Sequence, residues 1–545
     1  MKHGKMVVMW VLAVALLAAL PVTQALADPP VAPKVIDQPT NIPPIPRGMP
    51  DLISYHNFDP PKSPLFDIGK LTISGDMRVR PEFRSQTTFG VQNNGGFGRV
   101  TAANNDFIVQ QWMRLGINYA ISPDVDVFFQ PQWAKNFGAA NNTGAGAGCQ
   151  GAICANDPFQ SGQGDSLFAR QAFIMIRNLG VDGLSLKLGR QMVVMGNHRL
   201  FGHFDWANTG FSHDGITFQY NQPTFEVWGG WLRPMETDFN MAAAAGGING
   251  SSFGVVPPGV SQGQGGFGDS DIFFTRLAFK PMAGVAFEPL WVFQNNNART
   301  AGSSVVAAHA NGQKRHTVGA RLAVKQGIFD GTLEGYHQFG MASSDSATLG
   351  NSQNLHINAY ALAAEGGVTL ANVPWSPRIG AEFNYASGDG DAANCTNATT
   401  CNGTANTFEN LYPTNHIVMG YADLMAWRNM VAYSGSLQVI PFNNPANHLE
   451  FRYWNFRRAS TGDNWYRAAQ NAYFNANLAN RGAHLYDEID FIYTLFFKGN
   501  KVAWQTGFSY MFAGGFLDNI ASTNGANGNQ AVNQSWGYTQ IHVNF

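Results

Sequence analysis

The stretch LTISGDMRVRPEFR, Leu71 to Arg84, decides the fold. Leu71, Ile73, Gly75, Met77, Val79, Pro81 and Phe83 fall on one face, and Thr72, Ser74, Asp76, Arg78, Arg80, Glu82 and Arg84 on the other. A period of two kept up over about fourteen residues is a β-strand with one greasy and one wet side, longer than strands of soluble sheets. Such strands suit a membrane barrel, where lipid faces one side and water the other.

The pattern recurs to the end of the chain. FIVQQWMRLGINY sets Arg114 against Met113 and Leu115, and RHTVGARLAVK sets Arg315, Arg321 and Lys325 against Val318, Leu322 and Val324. PRIGAEFNY opposes Arg378, Glu382 and Asn384 to Ile379, Phe383 and Tyr385. HLEFRY opposes Glu450 and Arg452 to Leu449, Phe451 and Tyr453, and DEIDFIYTLFF opposes Glu488 and Asp490 to Ile489, Phe491, Tyr493 and Leu495. Segments around Arg170 and Arg276 alternate less regularly. About eighteen such segments can be counted, an even number as single-chain bacterial barrels require, so the expected fold is an all-β transmembrane antiparallel barrel. Gly/Asn/Ser-rich stretches near 138–164, 240–268, 388–406 and 518–533 read as long outer loops, joined at the other end by short periplasmic turns.

The two ends of the chain agree. Lys2, His3 and Lys5 precede an apolar run from Met6 to Leu20 and the triplet Ala25-Leu26-Ala27, the parts of a secretory signal peptide cleaved after Ala27. The run is too short for a spanning helix. Residues 28–67 hold 11 prolines, which suits an extended leader and a candidate docking segment for a periplasmic partner. Residues 68–545 form the expected barrel. In WGYTQIHVNF the residues Thr539, Ile541, Val543 and Phe545 alternate with Tyr538, Gln540, His542 and Asn544. A terminal amphipathic strand ending in Phe545 resembles the signal read by the outer-membrane barrel assembly machinery. Bacterial outer membrane is the expected location and its lipid an expected partner.

Charged residues are 13% of the chain, against about 25% in ordinary soluble domains. A net charge of −2 argues against nucleic acid as a partner. The four cysteines form two close pairs, Cys149 with Cys154 and Cys395 with Cys401. Three pairings are formally possible, and two local disulfides are the simplest in an oxidising compartment. Neither pair has a histidine at zinc-finger spacing, and no C-x-x-C-H haem motif occurs, so no metal or cofactor is expected.

On the wet faces, Arg78, Arg80, Arg84, Arg114, Arg315, Arg321, Lys325, Arg378 and Arg452 should line the lumen with Asp76, Glu82, Glu382, Glu450, Glu488 and Asp490. Unpaired guanidinium groups in a narrow channel attract anions. Paired with carboxylates on neighbouring strands they brace the wall instead. The basic excess leans towards anions, while bracing is the expected role of any single arginine. Inward aromatics such as Trp112 and Trp454 offer faces for sugar rings.

GRQMVVMGNHRLFGHFDWANTGFSHDG, Gly189 to Gly215, gathers His198, His203, His213, Asp205 and Asp214. It lies between two strands, LSLKLGRQ and DGITFQY. A hydrolase would need Ser212 and His213 to converge, yet adjacent strand residues point to opposite faces. The expected reading is a connection whose Arg190, Arg199 and Asp214 bond to the barrel rim or an inserted loop. Gly189-Arg190-Gln191, Gly196-Asn197, Arg199-Leu200, Gly202, Trp206, Asn208 and Asp214 resemble the central motif of the alginate-export family of outer-membrane porins. LYPTNHIVMGYADL (Leu411 to Leu424), DEIDFIYTL and FSYMFAGGFL are similar to later blocks of that family, so the resemblance runs from about Ser74 to Phe545. It implies an eighteen-stranded barrel for passive export or uptake of an anionic polysaccharide or another solute, and the expected function is a channel for anionic or sugar-like solutes. Two departures stand out: Phe211-Ser212-His213 precedes Asp214 where an arginine and an aromatic are common, and the lumen charge is mixed. A scaffold docking a periplasmic partner through the leader is the alternative, and an outer-membrane hydrolase a weaker one.

Overall fold

The computed structural model describes residues 66–68, 70–86, 89, 106–137, 166–235, 270–296, 313–343, 354–390, 403–468, 482–497, 501–524 and 530–545. The signal peptide, nearly all of the proline-rich leader and the candidate disulfide cysteines lie outside these residues.

Eighteen strands close into one antiparallel barrel. They are β1 (Leu71–Ser85), β2 (Asp106–Ser122), β3 (Val125–Asn136), β4 (Ser166–Ile176), β5 (Leu184–Gln191) and β6 (His213–Asn221). Next come β7 (Phe225–Met235), β8 (Ser270–Met282), β9 (Val285–Asn296), β10 (Gln313–Gln326), β11 (Phe329–Ser343) and β12 (Asn354–Thr369). The last six are β13 (Arg378–Ala386), β14 (Met430–Val439), β15 (Asn447–Arg457), β16 (His484–Phe497), β17 (Val502–Ala513) and β18 (Gln534–Asn544). Two short pieces add to the sheet: Phe66–Ile68 beside β1, and Thr404–Ala405 in parallel beside His356 and Ile357 of β12.

Closure joins the first strand to the last, with Met77 opposite Val543 and Glu82 opposite Tyr538. Phe545 completes it: Gly75 N–H donates to the Phe545 carbonyl at 2.7 Å, and Phe545 N–H to the Gly75 carbonyl at 2.9 Å. Turns at the end holding both Leu71 and Phe545 are short, as between Ser122 and Val125, whereas residues 192–212 and 387–429 connect strands at the opposite end. That asymmetry makes the first end periplasmic.

Alternation sorts the side chains. Phe83, Phe129, Ile174, Phe218, Phe287, Phe491 and Ile541 are exposed on the outside, the face lipid requires. Arg80, Arg114, Gln132, Thr217, Glu226 and Glu488 on the inner face are buried. Burial inside a barrel this wide needs something to fill it. The filling is a set of inserted connections, whose Met192, Val193, Leu200, Phe201, Val418, Met419, Leu424, Met425 and Trp427 are buried.

Two loop expectations are corrected. Residues 515–524, overlapping the presumed outer loop at 518–533, form the helix α1 (Gly515–Asn524). Its Phe516, Leu517, Ile520 and Ala521 recur at helical spacing and are buried in the same cluster as Trp465 and Tyr486. Thr404 and Ala405, inside the presumed loop at 388–406, extend the sheet instead. Lys325 is a third correction: it shares the inward register of Arg321 but is exposed, because it sits at the end of β10 beside the periplasmic turn.

Candidate functional site

The lumen wall is divided by charge. On β1, β2 and β4 the buried inward charges are Arg78, Arg80, Arg84, Arg114 and Arg170, with Asp76 and Glu82. Arg114 holds Asp76 at 2.9 Å, and Arg80 holds Glu82 at 2.7 Å. Aromatic faces cover this arc: Arg78 lies 3.7 Å from the ring centre of Trp112, and Arg80 lies 3.6 Å from that of Trp206. On β11–β16 the balance reverses. Asp330, Glu334, Glu365, Glu382, Glu450, Glu488 and Asp490 are buried with only Arg378 and Arg452. Arg378 pairs with Asp330 at 2.5 Å, and Arg452 bridges Glu450 (2.7 Å) and Glu382 (3.1 Å). Between the arcs, Arg276 joins Glu226 (2.8 Å) to Glu288 (2.9 Å), and Arg321 joins the same Glu288 at 3.0 Å.

Residues 192–212 cross between these arcs. At one end of the crossing, Asn197 accepts from Arg321 at 2.7 Å and donates to Thr332 at 2.9 Å. Arg199 pairs with Glu382 and Glu334 and lies near Glu365. At the other end, Asp205 binds Arg114 at 2.8 Å and Arg170 at 2.7 Å. Arg78 donates to the carbonyls of Asp205 (2.7 Å) and Trp206 (2.9 Å) and forms no ion pair among the described residues. Asn208 is held by Gln132 and Asn136 on β3.

A second connection, residues 387–429, lies along the first. Phe201 and Tyr412 form a parallel bridge, Gly202 N–H donates to the Tyr412 carbonyl at 2.8 Å, and Thr414 N–H donates to that of His198 at 2.9 Å. Trp206 lies flat on His416 with ring centres 3.7 Å apart. Gly202 is required at this crossing, since a Cβ there would stand 2.2 Å from Thr414 Oγ1. The second connection has wall anchors too: Glu409 with Arg315 at 3.3 Å, Ala422 N–H to Glu488 at 2.9 Å, and Arg84 to the Ala422 carbonyl at 3.2 Å.

Burial governs the titrating groups of these connections. It pushes His203 down to about 4, opposed by Asp205 and reinforced by Arg170 and Arg114, so the imidazole is neutral at pH 7. Burial and the guanidiniums of Arg80, Arg78 and Arg84 likewise hold His416 well below its ordinary value. Asp205 is held well below the usual carboxylate range: burial opposes ionisation, but Arg114 and Arg170 outweigh it.

The charged residues expected on the wet faces lie buried in the inner register, apart from the exposed Lys325, and Trp112 and Trp454 are buried with them. The motif separates into two groups. Arg199 and Trp206 belong to the inserted connection. Arg190 and Asp214 pair at 2.9 Å on the outward face of β5 and β6, where Asp214 shares the register of Ile216 and Phe218. Gln191 faces inward and accepts from Thr217 at 2.7 Å. Gly189 has φ +124°, and a Cβ there would meet the Ala172 carbonyl at 2.3 Å. Ser212 exchanges hydrogen bonds with Arg170, donating to its carbonyl at 2.6 Å and accepting from its guanidinium at 2.9 Å. Sequence reading missed the inward Glu226, Glu288, Asp330, Glu334 and Glu365. It also missed the inserted core, for which the apolar runs MVVM (192–195) and VMGYADLMAW (418–427), lying outside any strand, were the available signal.

An eighteen-stranded barrel with an apolar outer belt and a charged inner wall is an outer-membrane β-barrel of the channel class. The family model described as alginate export matches residues 70–253 and 269–531, and the chain belongs to that family. Among curated proteins none matches the sequence. Solved structures similar to it include Acinetobacter baumannii OccAB1 (11% identity, 87% of this chain and 96% of that one, TM-score 0.49). Another is Pseudomonas aeruginosa OccK11 (10% identity, 87% and 96%, TM-score 0.45).

Proposed function

We propose that this chain passes anionic or sugar-like solutes passively across the outer membrane. The observation that carries this reading is the basic arc. There the five guanidiniums of Arg78, Arg80, Arg84, Arg114 and Arg170 face the three carboxylates of Asp76, Glu82 and Asp205, under the faces of Trp112 and Trp206. A cationic excess on a low-dielectric wall raises the local concentration of anions, and aromatic faces suit sugar rings. The matching carboxylate-rich arc on β11–β16 lies opposite in charge, so selectivity depends on which arc borders the path.

The test is the reversal potential of the refolded mature chain in a planar bilayer under a salt gradient. Anion preference, with current blocked by an anionic polysaccharide, is the expected result. A cation-preferring pore would place the path along the acidic arc and overturn the reading.

A further inference from the structure

Residues 192–212 carry one charge of each sign to the side of the lumen where that sign is in the minority. Arg199 enters the carboxylates of β11, β12 and β13, and Asp205 enters the guanidiniums of β2 and β4. Six peptide steps reach at most about 20 Å. The segment between them is therefore held from both sides of the lumen at once. Both anchoring side chains are buried, Arg199 and Asp205 at 1% exposure each, so neither pair is a solvated surface contact. Behind the crossing, the bridge of Phe201 to Tyr412 and the stack of Trp206 on His416 tie the second connection to the first.

We propose that residues 196–208 are a two-ended electrostatic latch that holds the lumen closed. Arg199 and Asp205 are its positioning residues. This rests on the reading of the barrel as a channel. Each end offsets part of the imbalance of the wall it meets, so the latch sits where the wall's own charge asymmetry is greatest. Loss of the ion pairs at one end leaves only the hydrogen bonds of Asn197 there, or those of Asn208 and Arg78 at the other, and on this proposal these are too weak to keep residues 200–204 in the path.

Conductance of the full mature chain in planar bilayers tests this with four proteins: wild type, Arg199→Gln, Asp205→Asn and the double variant, each confirmed as a folded barrel by circular dichroism. Each single variant is expected to raise conductance severalfold. The double variant should exceed the larger single little or not at all, because a chord released at one end is already open. Hydrogen exchange of the amides of residues 196–208 should rise at least tenfold in each single variant, while β2 and β13 remain protected. Folded variants with wild-type conductance and wild-type exchange would overturn the latch and leave the channel reading standing. Faster loop exchange without current from any of the four would overturn the channel reading, and the latch as a gate with it.

Discussion

The two arcs of the lumen wall are built from the same device, long strands alternating polar and apolar, yet they end with opposite charge. β1, β2 and β4 place five guanidiniums against two carboxylates of their own, while β11–β16 place seven carboxylates against two guanidiniums. An arc of like charges buried without counter-charge is costly, because desolvation penalises every member. The third arc, β7–β10, avoids the problem by alternating Glu226, Arg276, Glu288 and Arg321 across neighbouring strands. The unbalanced arcs are partly compensated from within instead, by Asp205 on one side and Arg199 on the other. The inserted connection is therefore part of the electrostatics of the wall.

Breaking the acidic side should have the largest effect on stability. Arg199→Ala leaves the carboxylates around Glu334, Glu365 and Glu382 with a missing buried partner. Loss of one partner of a buried pair costs about 3–5 kcal/mol. The midpoint of urea unfolding in micelles reads this directly. A loss below about 1 kcal/mol would mean that Arg378 and Arg452 suffice for that arc.

Acid sharpens the comparison on the basic side. His203 is held at about 4 against an ordinary 6.5, so below pH 6.5 the unfolded chain takes up a proton that the folded chain refuses. Stability is then flat above about pH 7 and falls as pH drops through 6.5 towards 4. His416 contributes with the same sign, and the depressed Asp205 adds a further loss only below the ordinary carboxylate range. Unfolding midpoints measured from pH 8 to pH 4, with His203→Gln alongside, check the sign: the variant should show the shallower slope.

The smallest effect belongs to the pair outside the lumen. Arg190 and Asp214 lie close at 2.9 Å, but the Asp214 side chain is 61% exposed. Solvated pairs contribute up to about 1 kcal/mol, so Asp214→Asn should shift the unfolding midpoint within that bound and leave conductance unchanged. A loss as large as that of Arg199→Ala would place Asp214 among the lumen anchors.

The wall was legible because alternation is a local property. From Leu71 to Arg84, and again from His448 to Tyr453, each residue announces its face by its neighbours two positions away. Strands interrupted by Gly or Pro, such as those holding Glu288 beside Pro289 and Glu334 beside Gly335, hid their inward carboxylates, and the apparent basic excess followed from that omission. The family resemblance around Gly189 to Asp214 marked the right segment but could not separate its parts. Arg190 and Arg199 are the same residue type nine positions apart, one paired on the outer surface of the barrel and the other across the lumen.

Strand period and burial preference act over a few residues, so a membrane barrel, its approximate strand number and its greasy and charged faces are written locally in the chain. That residues 192–212 cross the lumen follows from contacts between positions far apart in the chain. Arg199 finds Glu382 at a separation of 183 residues, and Arg114 finds Asp205 at 91. Contacts at that range exist only once the barrel has closed and brought strands far apart in the chain around a common interior.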